Sequence, residues 1–144
     1  ASEIQPVIQR REGFENAMRQ HGLPFGGALL VAENGILQIK EQMVKLMKQG
    51  VSAFVCAASH ARALLELVRD GLPAGLSLPS ILTIDKAETD DLDLRAPSYI
   101  AQDMAAVGTA AVELLCQRIL RTHRQYEVIK IPPKYVDNGS VHPV

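Results

Sequence analysis

Apolar positions along the chain follow two alternating periods. Val7, Arg11, Phe14, Ala17 and Met18 fall on one face at helical spacing, which predicts a helix over residues 2–21, stopped by Gly22, Leu23 and Pro24. Ser2 and Gln5 have capping-box spacing. Pro6 would forfeit a backbone bond in a helix that began that early, so the regular part is expected to start at Pro6. Residues 28–32 (ALLVA) read as a strand. Ile36, Ile39, Met43, Leu46 and Met47 then mark a helix that ends at Gly50. Residues 51–57 are the next strand. Ser59 is placed to cap the helix that follows, whose buried stripe is Ala61, Leu64, Leu65 and Val68, and residues 71–73 end it.

The organising stretch is 78–103. Residues 81–84 (ILTI) are β-branched and apolar without clean alternation, as suits a strand buried on both faces of a parallel sheet. The stretch then passes through an acidic loop and enters a long helix. Asp103 is its expected cap, and Met104, Val107, Ala111, Leu114, Leu115 and Ile119 share one face to about Arg121. The tail offers two extended segments, 127–131 and 134–137, separated by Pro132 and Pro133. Strands alternating with helices of this length predict an α/β fold: a parallel, Rossmann-like sheet with right-handed crossovers, covered on both faces.

Composition narrows the function classes. A chain of 144 residues, 47% hydrophobic and 22% charged, is about one domain with material for a real core. The formal net charge of -1 and the lack of a basic block argue against DNA binding by this chain itself. No apolar run approaches the roughly 20 residues of a membrane span, and no signal pattern opens the chain. Cys56 and Cys116, far apart in unrelated elements, read as two buried thiols in a reducing compartment such as the cytoplasm.

Catalytic and cofactor signatures are missing. There is no GxGxxG, no P-loop, no GxSxG and no Cys or His pair at metal-ligand spacing, so neither enzyme, cofactor nor metal is expected. Ser59 beside His60 is a poor nucleophile pair, because adjacent helical residues point in different directions. Asp85, Glu88, Asp90, Asp91 and Asp93 lack the glycine and spacing of a calcium loop and read as solvated. Arg10 and Arg11 together on a helix are ordinarily surface. Asp85 stands apart because it directly follows a strand, at the end of a parallel sheet where ligands sit; a turn acid and a ligand contact are both open readings.

Several motifs resemble one family when taken in order. Arg10-Arg11-Glu12-Gly13-Phe14 resembles R-x-x-G-F, Gly71-Leu72-Pro73 with Leu78-Pro79 resembles a G-L-x-x-P turn, and Ile84-Asp85 matches a strand-end aspartate. Pro97, Gln102, Asp103 and Gly108 resemble P-x-x-T-x-x-x-Q-D-x-x-x-x-G with the Pro-to-Gln spacing two residues shorter, and Ile131-Pro132-Pro133-Lys134-Tyr135-Val136 with Gly139-Ser140-Val141 resembles a closing strand and tail. On these residues, over nearly its whole length, the chain resembles the C-terminal part of the effector-binding domain of LacI/GalR-type transcriptional regulators.

The resemblance implies a two-lobed clamp related to periplasmic sugar-binding proteins. A small-molecule effector, a sugar or related metabolite, would bind between the lobes. Arg10 would donate to effector oxygens, Asp85 would accept from effector hydroxyls, and Gln102 would be a polar ligand or network residue near the cleft. Where the family has Asn-Asp after a second-lobe strand, this chain has Cys56, Ala57, Ala58 and Ser59, which leaves Ser59 as the shifted contact. Lys86 replaces a second acid and Asn138 the arginine of the tail. Residues 1–101 would belong to the second lobe, 102–130 would cross as helix and strand to a first lobe, and 131–144 would return. On this expectation the chain starts inside the second lobe, and DNA is reached through an N-terminal helix-turn-helix outside it. The apolar stripe from Met104 would then be left for a partner or be loosely ordered. A homodimer is implied, with no membrane contact. A periplasmic-type solute-binding protein is the alternative, and an enzyme on the same sheet the third reading.

Overall fold

The computed structural model describes residues 5–23, 35–89, 94–120 and 127–142. The chain falls into two compact units, Ala1–Glu33 and Asn34–Val144. The first contributes helix α1 (Gln5–Gln20), with Pro6 in its first turn, where a missing N–H costs nothing. Gly22, at φ 63°, ends it: the Leu23 N–H reaches back to the Met18 carbonyl at 2.9 Å and the Gly22 N–H to that of Arg19 at 3.1 Å. The expected strand at 28–32 lies outside the described residues.

The second unit runs α2 (Ile36–Lys48), β1 (Ala53–Ala57), α3 (Ala58–Asp70), β2 (Ser80–Ile84), β3 (Ser98–Ala101), α4 (Met104–Leu120) and β4 (Lys134–Val136). The sheet order is β1-β2-β3-β4; the first three strands are parallel and β4 is antiparallel to β3. This is the mixed α/β, mostly parallel architecture that the alternating periods predict.

Its core lies between α2, α3 and the sheet. Ile39, Met43 and Met47 repeat every four residues on α2 and are buried with Ala61, Leu64 and Leu65 of α3, against Phe54 and Ile81 on neighbouring positions of β1 and β2. Full burial of a side chain such as Leu64 contributes ~1.5–3 kcal/mol. At the rim of this helix pair Lys40 Nζ meets Glu66 Oε2 at 2.7 Å, and Arg62 Nε donates to Glu66 Oε1 at 3.1 Å. The Lys40 contact, foremost, holds the Glu66 carboxyl below its usual range.

Four features depart from expectation. Residues 81–84 alternate in burial: Ile81 and Thr83 are buried, whereas Leu82 and Ile84 are half-exposed and Val55 beside them is 49% exposed. Within this unit α3 packs on β1 and β2, and no other described helix packs on the sheet. Strand β3 sits inside a stretch expected to run from loop directly into helix. Residues 127–131 form no strand, and Val128 is 82% exposed, because an extended segment without a ladder partner gains nothing from its pattern. Cys116 is exposed and Cys56 half-buried, both free, where two buried thiols were expected.

Helix α4 forms as expected and is capped by Asp103, whose Oδ1 accepts the Ala106 N–H at 2.9 Å. None of its residues is buried, and it packs against no other described element. Its stripe therefore rests on nothing described, and Cys116 is exposed with it.

Candidate functional site

The parallel register aligns the carboxyl ends of β1, β2 and β3: Ala57 pairs with Ile84, and Ile84 with Ile100. Whatever follows each strand therefore emerges on one edge of the sheet, the edge where open α/β sheets bind ligands. After β1 comes Ser59, after β2 Asp85 and after β3 Gln102.

Asp85 is held in place by its own backbone. Its φ of 66° lies in the left-handed region, which costs a non-glycine residue about 1 kcal/mol or more. Asp85 is the one described non-glycine residue there. Two hydrogen bonds enforce the turn: Thr83 Oγ1 donates to the Asp85 carbonyl at 2.8 Å, and the Asp85 N–H donates to the Ile100 carbonyl at 3.1 Å. Thr83 is itself fully buried, so the anchor belongs to the core. The chain bends at this residue, which lies exposed immediately beyond the end of β2.

Gln102 joins Asp85 across 17 positions of sequence. Its Nε2 donates to both carboxylate oxygens, at 3.0 Å to Oδ1 and 2.9 Å to Oδ2. A carboxylate has about four lone-pair positions, so this bridge leaves each oxygen able to accept from a ligand hydroxyl or N–H. The amide fixes the carboxylate plane. Two sequence-predicted residues thus form one acceptor group.

Ser59 takes a different role from the expected one. The strand passes into α3 without a loop, so Ala57 is the N-cap, no side chain caps the helix, and Ser59 lies inside the first turn. Its Oγ sits 3.3 Å from Nδ1 of half-buried His60 and remains exposed at the sheet edge. Arg10 lies exposed on α1, in the first unit. Of the acid cluster, Asp85 and Glu88 are exposed, while 90–93 lies outside the described residues. Among the described residues no three His, Cys, Asp or Glu side chains come together as a metal site.

Cys56 lies one residue before the end of β1, and burial pushes its thiol up to about 12. It is a neutral, unreactive thiol at ordinary pH. Sequence reasoning missed β3 and hence the Asp85–Gln102 contact itself. Pro97 followed by the short aromatic and β-branched run of Tyr99 and Ile100 was the available signal.

A mostly parallel sheet with acceptors gathered at its carboxyl edge, and α3 packed on one face with α2 behind it, describes a lobe built for ligand binding. The chain matches the periplasmic binding protein-like domain over residues 3–141 and belongs to that family, which makes it a ligand-binding domain. Such domains are generally binding modules and not catalysts. Comparison with curated proteins and with solved structures yields no match. Among the described residues no helix is long and apolar enough to cross a membrane.

Proposed function

We propose that the chain is the effector-sensing part of a LacI-type transcriptional repressor, in which a sugar or related polyhydroxylated metabolite binds against the Asp85–Gln102 pair. The pair carries this reading: a carboxylate clamped by an amide, at the carboxyl edge of a parallel sheet, on a strained residue that the core holds in place. Strain retained at a strand end is common where a side chain must face a ligand. Asp85 accepts from hydroxyls, Gln102 sets the carboxylate plane and Ser59 offers a further hydroxyl. Arg10, whose guanidinium offers forked donors, is the further proposed contact.

The regulator reading, in preference to a solute carrier, draws support from the Ile131–Val136 tail and from two cysteines that stay free. In this arrangement residues 1–101 and 131–144 form one lobe, and 102–130 cross to another; the apolar surface of α4, which packs against no other described element, supports a crossing that ends on a second sheet. Ligand differentially stabilises one lobe arrangement, and that difference is what reaches a DNA-binding domain elsewhere in a cytoplasmic homodimer.

Calorimetric titration with a panel of pentoses and hexoses, on the polypeptide encoded by the whole reading frame, tests the binding. Operator retardation with and without the bound sugar tests the regulation. Saturable binding that Asp85→Ala abolishes, together with a sugar-dependent change in retardation, is the expected result. Binding without any DNA effect would leave a solute-binding protein.

A further inference from the structure

We propose that Ser98 and Ser140 are positioning residues for the Asp85–Gln102 pair, acting through strand β3; this rests on the reading of that pair as the ligand contact. Strand β3 is only four residues long, with Ser98 as its first residue and Gln102 immediately after its last. It pairs with β2 from Leu82 onward, so the amino end of β2 has no β3 residue beside Ile81. Ser140 fills that place. Its carbonyl accepts the Ile81 N–H at 2.9 Å, its Oγ donates to the Ile81 carbonyl at 2.6 Å, and the same Oγ accepts the Ser98 N–H at 2.7 Å. One side chain thus joins both parallel strands where their own ladder stops.

Ser98 is fully buried and completes the lock. Its Oγ donates to Asp137 Oδ1 at 3.1 Å and accepts the N–H groups of Asn138 at 2.9 Å and Ser140 at 3.4 Å. Asn138 Nδ2 adds a bond to the Pro97 carbonyl at 3.1 Å. These bonds can form in one register alone, because a one-residue slip of β3 would turn Ser98 to the opposite face of the sheet. Such a slip would also move Gln102 by ~3.3 Å along the strand. That displacement exceeds any hydrogen-bond tolerance, so the 2.9–3.0 Å contact to Asp85 depends on a register fixed at the far end of the strand.

Amide hydrogen exchange on the ligand-free chain, read by NMR, tests this without reference to any ligand. Asp85 N–H, which bonds the Ile100 carbonyl across β2 and β3, is the reporter, and the Gln102 side-chain amide is the second. In Ser140→Ala, Asp85 exchange is expected to accelerate about tenfold or more and the Gln102 side-chain resonances to move, while the Leu64 amide in the α2–α3 core keeps its rate. Ser140→Thr, which retains the hydroxyl, is expected to restore Asp85 protection. Unchanged Asp85 exchange overturns the proposal, and so does equal acceleration at Asp85 and Leu64, which would mark a general loss of stability. Should Ser140→Ala fail to fold, Asn138→Ala removes just the bond to Pro97 and is read by the same two reporters. A chain that passes this test and binds no sugar would refute the ligand reading while leaving the positioning role intact.

Discussion

Gln102 Nε2 donates to both carboxylate oxygens of Asp85, at 3.0 Å to Oδ1 and 2.9 Å to Oδ2. Neither residue is buried, so the contact is not there to satisfy a polar group hidden from water. It orients an exposed acceptor. If ligand hydroxyls use that acceptor, its removal subtracts a charged hydrogen bond, roughly 1.5 to 3 kcal/mol. Asp85→Ala is therefore expected to weaken sugar binding by about ten- to a hundredfold or somewhat more. Titration calorimetry on the variant checks this, and unchanged affinity would remove Asp85 from the site.

Asp85→Gly separates function from fold more sharply. Glycine adopts a φ of 66° without strain, which offsets its larger entropy loss on folding. The variant is expected to be more stable by ~0.5–1 kcal/mol while binding no better than Asp85→Ala. Thermal unfolding followed by circular dichroism decides it. A drop in Tm would mean the aspartate side chain serves the turn, as an ordinary strand-end acid does.

Asp137 predicts an acid limb to the stability curve. The Gly139 N–H at 2.8 Å, then the Ser98 hydroxyl, holds its carboxyl below the usual carboxylate range, with smaller help from Tyr135 and Arg95. A folded-state value below the unfolded one stabilises the fold above the unfolded value, about 3.9, and this contribution disappears as pH falls through the folded value. Tm measured from pH 6 down to pH 3 should fall less steeply in Asp137→Asn than in the parent chain. Parallel curves would show that the carboxyl titrates alike in both states. Glu66, lowered chiefly by Lys40, contributes in the same direction and is left in place by this substitution.

Legibility from sequence followed the kind of signal each element carried. Helices α1 and α2 announced themselves by apolar spacing and by Gly22 and Gly50, whose positive φ ends each one. Asp85 was legible because a charged residue directly after an apolar strand falls at the edge where a parallel sheet opens to ligands. Strand β3 was not, since four residues opening on serine carry no period long enough to read. Ser98, Asp137 and Ser140 were equally silent. They are small polar residues at turn-like positions, and only the register of β2 against β3 reveals that they meet. Ser59 was misplaced by one assumption, that a strand and the following helix are separated by a cap residue with a polar side chain; here Ala57 ends β1 and is the N-cap at once.

The two cysteines should separate in a labelling experiment. At pH 8 a thiol whose value is about 12 is thiolate in only about one molecule in ten thousand, and thiolate is the reactive form. Cys116 lies exposed on α4. Iodoacetamide is expected to modify Cys116 at least about a hundredfold faster than Cys56, as read by peptide mass spectrometry. Comparable rates would mean that β1 opens readily and does not bury its thiol.

Leu64 and Leu115 occupy helices of similar length and have opposite surroundings. Leu64 is fully buried between α2, α3 and the sheet, whereas Leu115 is 59% exposed on a helix that packs against no other described element. Leu64→Ala removes packed atoms and leaves a cavity, so a loss of ~2–5 kcal/mol is expected. Leu115→Ala removes atoms that water already touches, and its effect on the same chain should stay within about 0.5 kcal/mol. Urea denaturation of both variants makes the comparison. A large loss at Leu115 would mean that α4 is packed within this chain, which would end the account of residues 102–130 as a crossing to a second lobe. A small loss would mean that the apolar stripe from Met104 to Ile119 stabilises nothing here and remains available to a sheet elsewhere.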